Sequence, residues 1–246
     1  MQTKLIVFFL LPLLFPYAQG ADKIIETAED KIKGETSHAV IEMVIKTPEY
    51  SRELKMESWW EGNEKALIKT LAPKKEAGNK TLKIGNEMWN YLSNTETTIK
   101  IPPSMMLQSW NGSDFTNDDL VRESSYSEDY NSKLIGEKTI NDINTFKIEL
   151  LPKPEAPVVW GKLIYWVTEA DTLPYRIEYY DESGELIRHM EFLNVTQFGD
   201  RKIPAVWKMV SHTEEGHSTK FELLEAEFDV KLNDNLFSFR ELERGG

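Results

Sequence analysis

The chain contains no cysteine. That absence excludes a disulfide framework and thiol chemistry, and it removes the residue on which a bacterial lipoprotein carries its lipid anchor. Small exported domains without disulfides must rely on their core, and 246 residues are enough to build one. Catalytic signatures are missing as well: there is no Gly-x-Ser-x-Gly elbow, no His-Glu-x-x-His pair, no P-loop and no dinucleotide fingerprint. Basic residues number 29 against 41 acidic ones, a formal charge of −12. Such a surface lacks the positive faces that nucleic acid or anionic head groups require, so no nucleic-acid partner is expected. No apolar run reaches the roughly 20 residues of a membrane-spanning helix.

The ends carry an address. Lys4 supplies a positive start, Leu5 to Phe15 an apolar stretch broken only by Pro12, and Ala18-Gln19-Gly20 a small-x-small cleavage pattern. Residues 1–20 are therefore expected to be a cleaved signal peptide and residues 21–246 a single exported, soluble domain without a lipid anchor. Ala21 to Lys33 has Ile24, Ile25, Ala28 and Ile32 at helical spacing, with Gly34 as the stop. Beyond it, short alternating runs are separated by Gly62-Asn63, Gly85-Asn86, Asn141-Asp142, Ser183-Gly184, Gly199-Asp200 and Glu215-Gly216. Dipeptides of this kind make tight hairpins, which predicts an antiparallel meander.

Alternation tells which strands have a wet face. Leu54, Met56 and Trp60 oppose Glu53, Lys55 and Glu57, as in a sheet covered on one side. Glu87 to Leu92 and Lys162 to Val167 are apolar on both faces, and cover from the N-terminal helix and from short helices in the middle of the chain is expected. In Lys220 to Lys231 the apolar phase slips from Phe221 and Leu223 to Leu224, Ala226 and Phe228, which predicts a bulge. His38, His189, His212 and His217 are scattered and read as surface residues, with His212 and His217 flanking one turn. Three or four converging ligands are needed for a metal, and none is expected here. Asp114, Asp118 and Asp119 lack calcium-loop spacing and read as helix-capping carboxylates. No catalytic residue, metal or cofactor is predicted, and the chain is not expected to be an enzyme.

One segment stands out, Ile101 to Leu120, IPPSMMLQSWNGSDFTNDDL. Pro103 suits the first position of a short helix, Asn111-Gly112 a turn, and Thr116 with Asp119 a capping box. Met105, Met106, Leu107 and Trp110 would lie on a helix too short to stand alone, so they must dock on an apolar surface. The segment, and above all the Gly112-Ser113-Asp114-Phe115 run leading into Asp118-Asp119-Leu120, resembles the periplasmic outer-membrane lipoprotein-sorting proteins, the LolA-like superfamily.

The resemblance implies a mainly β fold with few helices: a curved antiparallel sheet forming an incomplete, half-open barrel, with an N-terminal helix and short lid helices over a hydrophobic cavity. It implies a periplasmic carrier that binds the acyl chains of a lipoprotein or lipid and passes them toward the outer membrane. Its partners would be an inner-membrane releasing complex or an RND-type exporter, and an outer-membrane acceptor. The alternatives are an accessory lipid-binding protein of such an exporter and a periplasmic lipid or envelope-stress sensor. Cavity and lid residues would be Leu54, Met56, Trp60 and Met88 from early strands, and Met105, Met106, Leu107, Trp110 and Phe115 from the lid. Trp166, Ile177, Tyr179, Met190 and Phe192 would come from later strands. The family also uses a strand arginine to hold its lid shut; Arg52, Arg176 and Arg188 are the candidates.

Overall fold

Alternating strands joined by tight turns can only curl into a meander, and the computed structural model, which describes residues 20–121, 126–156 and 158–244, has that form. The predicted signal peptide lies outside the described residues apart from Gly20. Helix α1 (Ala21–Lys33) is followed by β1 (Thr36–Lys46), β2 (Ser51–Glu61), β3 (Lys65–Ala72), β4 (Lys80–Ile84), β5 (Glu87–Leu92) and β6 (Thr97–Lys100). A 3-10 turn (Pro103–Met105) and the short helices α2 (Asn117–Val121) and α3 (Tyr126–Asp129) come next. The chain then forms β7 (Tyr130–Ile140), β8 (Ile143–Pro152), β9 (Lys162–Thr168), β10 (Pro174–Tyr180), β11 (Leu186–Phe198), β12 (Arg201–Ser211) and β13 (Ser218–Phe228), and ends in α4 (Phe239–Glu243).

These strands make one sheet in the order β6-β5-β4-β3-β2-β1-β13-β12-β11-β10-β9-β8-β7, antiparallel throughout. Two meanders are thus joined by the pairing of β1 with β13, and β6 and β7 remain as unpaired edges. The result is the expected incomplete barrel. Val40 faces Glu225 but Ile41 faces Leu223, so Leu224 is the extra residue of a bulge in β13. The bulge falls in the stretch where the apolar phase slips, although Leu224 itself is 43% exposed. Further register shifts leave an extra residue at Leu71 in β3, Ile135 in β7, Tyr175 in β10 and Ile187 in β11, and bulges of this kind bend strands and let a sheet curl.

The concave face carries two apolar clusters. One gathers Ile24, Ile25 and Ala28 of α1 with Ile148, Tyr165, Ile177 and Phe192 of the later strands. The other gathers Met43, Leu54, Met56 and Met88 with Trp110 from the middle segment. A third cluster lies on the convex face, where Leu67, Leu82 and Tyr91 meet Leu242, Leu236 and Phe237. On β5 the middle segment covers Met88 as expected, whereas the other face, Tyr91 and Trp89, is covered by the C-terminal segment in place of α1. Ser238 caps α4 by accepting from the Glu241 amide at 3.2 Å. At its other end the Lys80 ammonium donates to the carbonyls of Glu241 (2.6 Å) and Arg244 (2.7 Å). A lysine on those orphan carbonyls satisfies the helix end and complements its dipole.

On β9, Leu163, Tyr165 and Val167 point inward, and Ile164 and Trp166 outward. Among the described residues no helix covers the outward pair; the Lys147 ammonium stands 4.9 Å from the Trp166 ring centre, and Arg176 is its cross-strand neighbour on the other side. Long cationic side chains laid over an aromatic ring do what a helix was expected to do.

If the C-terminal segment is the cover of the convex face, Leu242→Ala should cost about 2–5 kcal/mol, the range for a buried leucine truncated to alanine. Leu224→Ala at the exposed bulge should change stability by less than about 0.5 kcal/mol. Urea unfolding of the two variants would check this, and equal values would contradict the covering role.

Candidate functional site

Residues 101–121 fold on themselves before they meet the sheet. Pro103 opens the 3-10 turn, as expected of a proline at the first helical position. Asn111 (φ 52°) and Gly112 (φ 73°) form a tight turn closed by the Ser113 amide donating to the Trp110 carbonyl at 2.9 Å. Both residues tolerate the left-handed region, which this turn demands twice in a row. Thr116 and Asp119 form the predicted capping box: the Thr116 amide donates to Asp119 Oδ2 (2.7 Å), and the Asp119 amide donates to Thr116 Oγ1 (3.1 Å). Asn117 and Asp118 amides then donate to the carbonyls of Gln108 and Met106, tying the start of α2 to the 3-10 turn.

This unit lies across the concave face as a lid. Trp110 is 1% exposed, packs in the cluster of Leu54, Met56 and Met88, and donates Nε1 to Thr81 Oγ1 at 3.3 Å. Phe115 stacks obliquely on Phe221 of β13, with ring centres 4.6 Å apart. Polar contacts hold three more points. The Arg52 guanidinium donates to the Asn111 carbonyl at 2.7 Å while paired with Glu76. Thr219 Oγ1 donates to Asp114 Oδ2 at 2.6 Å and accepts from the Asp114 amide at 2.9 Å. Arg188 donates to both Asp119 oxygens, at 2.5 and 2.8 Å, and to the Asp114 carbonyl at 3.0 Å.

Arg188 is 5% exposed and sits between the faces of Trp160 and Tyr179, 4.6 and 4.8 Å from their centres. Burial opposes its charge, but the Asp119 carboxylate more than offsets this and holds it above the usual guanidinium range. Removing one member of such a pair costs about 3–5 kcal/mol, because the other is left buried and uncompensated. Of the three candidate arginines, Arg52 and Arg188 reach the lid, and Arg176 lies on the convex face beside Glu178.

Between lid, α1 and sheet lies a cavity of about 330 Å³. Of the residues singled out in the sequence, Met56, Trp60, Trp110, Phe115, Ile177, Tyr179, Met190 and Phe192 line it. Leu54 and Met88 are buried beneath that lining, and Met106 packs on the same cluster from the lid. Met105 and Leu107 point away from the cavity, 37% and 59% exposed, because the lid is a 3-10 turn and a hairpin rather than one helix with a continuous apolar face. Trp166 is also not in the cavity; its position in β9 puts it on the convex face.

Ile41, Ile68, Trp160, Trp207 and Phe221 line the cavity without having been singled out as binding residues. Phe221 carried a signal, the inward phase before the bulge; Trp160 carried none, since it lies in the loop before β9. Tyr126 of α3 also lines the wall, its hydroxyl 3.0 Å from that of Tyr179. Burial pushes the Tyr126 and Tyr165 phenols well above their ordinary range and Tyr179 up to about 12, so all three are neutral. Glu29 of α1, 4% exposed, accepts from the Tyr126 amide at 3.1 Å and ties α3 to α1.

The acidic residues of the lid do separate jobs. Asp119 caps and pairs with Arg188. Asp114 binds Thr219, and burial raises its carboxyl above the usual range. Its ligand atoms and those of Glu214 and His217 lie within 4.8 Å of one another, the one such trio among the described residues.

The histidines also differ from expectation. His189 is buried, and its Nδ1 lies 2.8 Å from His212 Nε2; His217 pairs with Glu214 instead of His212.

Among the described residues no helix is long and apolar enough to cross a membrane. Residues 62–244 match the model of a family described as "Uncharacterized protein". No curated protein matches the sequence. Among solved structures, the chain is similar to a DUF1329 family protein from Desulfovibrio piger, at 20% identity and TM-score 0.82, over 90% of this chain and 97% of that one. It is similar to a putative outer membrane lipoprotein-sorting protein domain from Vibrio parahaemolyticus, at 23% identity and TM-score 0.79, over 91% and 98%. A LolA superfamily protein from Nitrosomonas europaea matches at 20% identity and TM-score 0.76, over 92% and 100%. The fold is therefore that of the LolA-like proteins.

The buried histidine gives a test in pH. Burial first, then the neighbouring Arg176 charge, push the His189 imidazole below its ordinary range, against the pull of Glu191. An unfolded histidine takes up its proton near pH 6.5 and the native one only at lower pH, so acidification favours the unfolded chain. Urea-derived stability should hold from pH 8 to 7 and fall from about pH 6.5 downward. His189→Gln should flatten that fall; an unchanged slope in the variant would assign it elsewhere.

Proposed function

This chain belongs to the family whose model matches residues 62–244 and has the fold of the LolA-like proteins, and on that premise we propose that it is a periplasmic lipid carrier. It takes acyl chains of a lipid or lipoprotein into the cavity beneath the lid and passes them between membranes, toward the outer membrane. An inner-membrane releasing complex or an RND-type exporter would load it, and an outer-membrane acceptor would unload it.

The observation that carries this reading is a mostly apolar cavity of about 330 Å³ overlain by a lid that is self-contained and attached at discrete points. A site of that volume lies at the small end of the range for small-molecule pockets, so a long chain would have to move the lid as it enters. The energies permit it. Each methylene taken from water gains about 0.8 kcal/mol, so a chain of about fifteen gains roughly 12 kcal/mol. Trp110 and Phe115 together hold the lid by roughly 5 kcal/mol of apolar burial, and parting Arg188 from Asp119 adds a cost of about 3–5 kcal/mol, which leaves the balance narrowly in favour of entry. A flexible methionine lining, Met56, Met190 and Met209, suits a wall that repacks around varied chains.

Mass spectrometry of material that co-purifies with the protein exported to a bacterial periplasm should find diacyl lipid or lipoprotein near one-to-one. Ala205→Phe, which fills the cavity from β12, should lower retained lipid at least tenfold and leave the melting temperature within a few degrees. A protein that emerges free of lipid and ignores added lipid would overturn the carrier reading.

A further inference from the structure

The balance of charge around Arg188 indicates what kind of lipid the cavity accepts. Among the described residues, every oxygen that accepts from the Arg188 guanidinium comes from the lid: two from the Asp119 carboxylate and one from the Asp114 carbonyl. On its other sides, among the described residues, lie the aromatic faces of Trp160, from the loop before β9, and Tyr179 of β10. A lid that moves aside thus takes with it the anion that balances a guanidinium 5% exposed. An incoming neutral ligand would leave that charge against two rings without a counter-ion, the situation most costly for a buried ion pair. An incoming carboxylate or phosphate would replace Asp119 in kind, since both fit the two-pronged donor geometry of arginine.

We propose that Arg188 is the anion-binding site for the head of an acyl amphiphile, a carboxylate or phosphate, and that Asp119 occupies this site in the empty protein. The inference rests on the carrier reading and narrows its cargo to anionic lipid. Placement supports it. Asp119, Trp160 and Tyr179 all line the cavity, so the site opens onto the space where a chain would lie. Arg188, Met190 and Phe192 alternate along β11 on the same inward face, and Met190 and Phe192 also line that cavity. Alternate residues of a strand are about 7 Å apart, so a head at Arg188 would direct its chain over Met190 and then Phe192. The formal charge of −12 opposes anions at long range, but contact with a desolvated guanidinium is screened far less than the surface field.

The test uses delipidated full-length protein, tryptophan fluorescence as readout, and three probes with the same chain: hexadecanoate, monohexadecyl phosphate and hexadecanol. The two anions are expected to divide by head, one binding at least tenfold more tightly than hexadecanol and thereby identifying carboxylate or phosphate as the source. Asp119→Asn weakens the internal competitor that any entering chain must displace, so it should tighten the preferred anion and hexadecanol alike, by at least threefold, and leave the ratio between them within about twofold. Arg188→Met with Asp119→Leu replaces both charges by apolar groups and so avoids a lone buried carboxylate. In that double variant the anion preference should vanish while hexadecanol still binds.

Equal affinity for all three probes in the unaltered protein, or a preference that survives the double variant, would overturn the anion site and leave the carrier reading intact. Failure of all three probes, with the cavity-filled Ala205→Phe protein behaving identically, would overturn the carrier reading and this proposal with it.

Discussion

β6 and β7 follow one another in the chain, yet they stand at opposite edges of a thirteen-stranded sheet. The residues between them must therefore pass from one edge to the other. A curled sheet offers a short route across its mouth and a long one around its back. The described part of this connection takes the mouth: it touches β4 through Thr81, β2 through Arg52, β13 through Thr219 and Phe221, and β11 through Arg188. Cavity, lid and latch all descend from this one topological constraint. The pairing of β1 with β13 sets it, because that pairing places the two meanders side by side and sends β6 and β7 outward.

The lid is held to the sheet by two kinds of contact. Its apolar contacts are the buried Trp110 and Phe115, and most of its polar contacts are single hydrogen bonds. Arg188 is the exception, being buried, bidentate and sandwiched between rings. A buried ion pair of this kind adds little net stability over an apolar substitute, and its use is geometric: it specifies one seated position of the lid. The C-terminal segment plays the opposite part. It covers the convex face with Leu242, Leu236 and Phe237 and is pinned by Lys80, so it packs on the outside of the sheet while the lid packs on the inside.

Much of the architecture was legible in the residues. The spacing of Ile24, Ile25 and Ala28 with Gly34 marked α1, and the six turn dipeptides marked six hairpins. The phase slip after Leu223 marked a bulge, and Thr116 with Asp119 marked the start of α2. All of these are local: a helix period, a tight turn or a cap involves residues within about four positions, and side-chain chemistry at that range is written directly in the sequence. Two local signals went unread. Ser238 with Glu241 has capping-box spacing and marks α4, and Trp166 alternates with Tyr165 and so had to face the other side.

The sequence by itself determined the strand-rich class, the hairpin order, the cap and turn of the lid segment, and a chain without cysteine that depends on its apolar core. Tertiary structure alone decided which eight of the fourteen singled-out residues reach the cavity, which arginine meets Asp119, and what covers each face of β5 and β9. The physical reason is separation along the chain. Arg188 and Asp119 are 69 residues apart, and Lys80 and Glu241 161 apart. Partners at such distances are selected by how the whole sheet curls, which depends on the sum of its bulges and pairings and on no single motif.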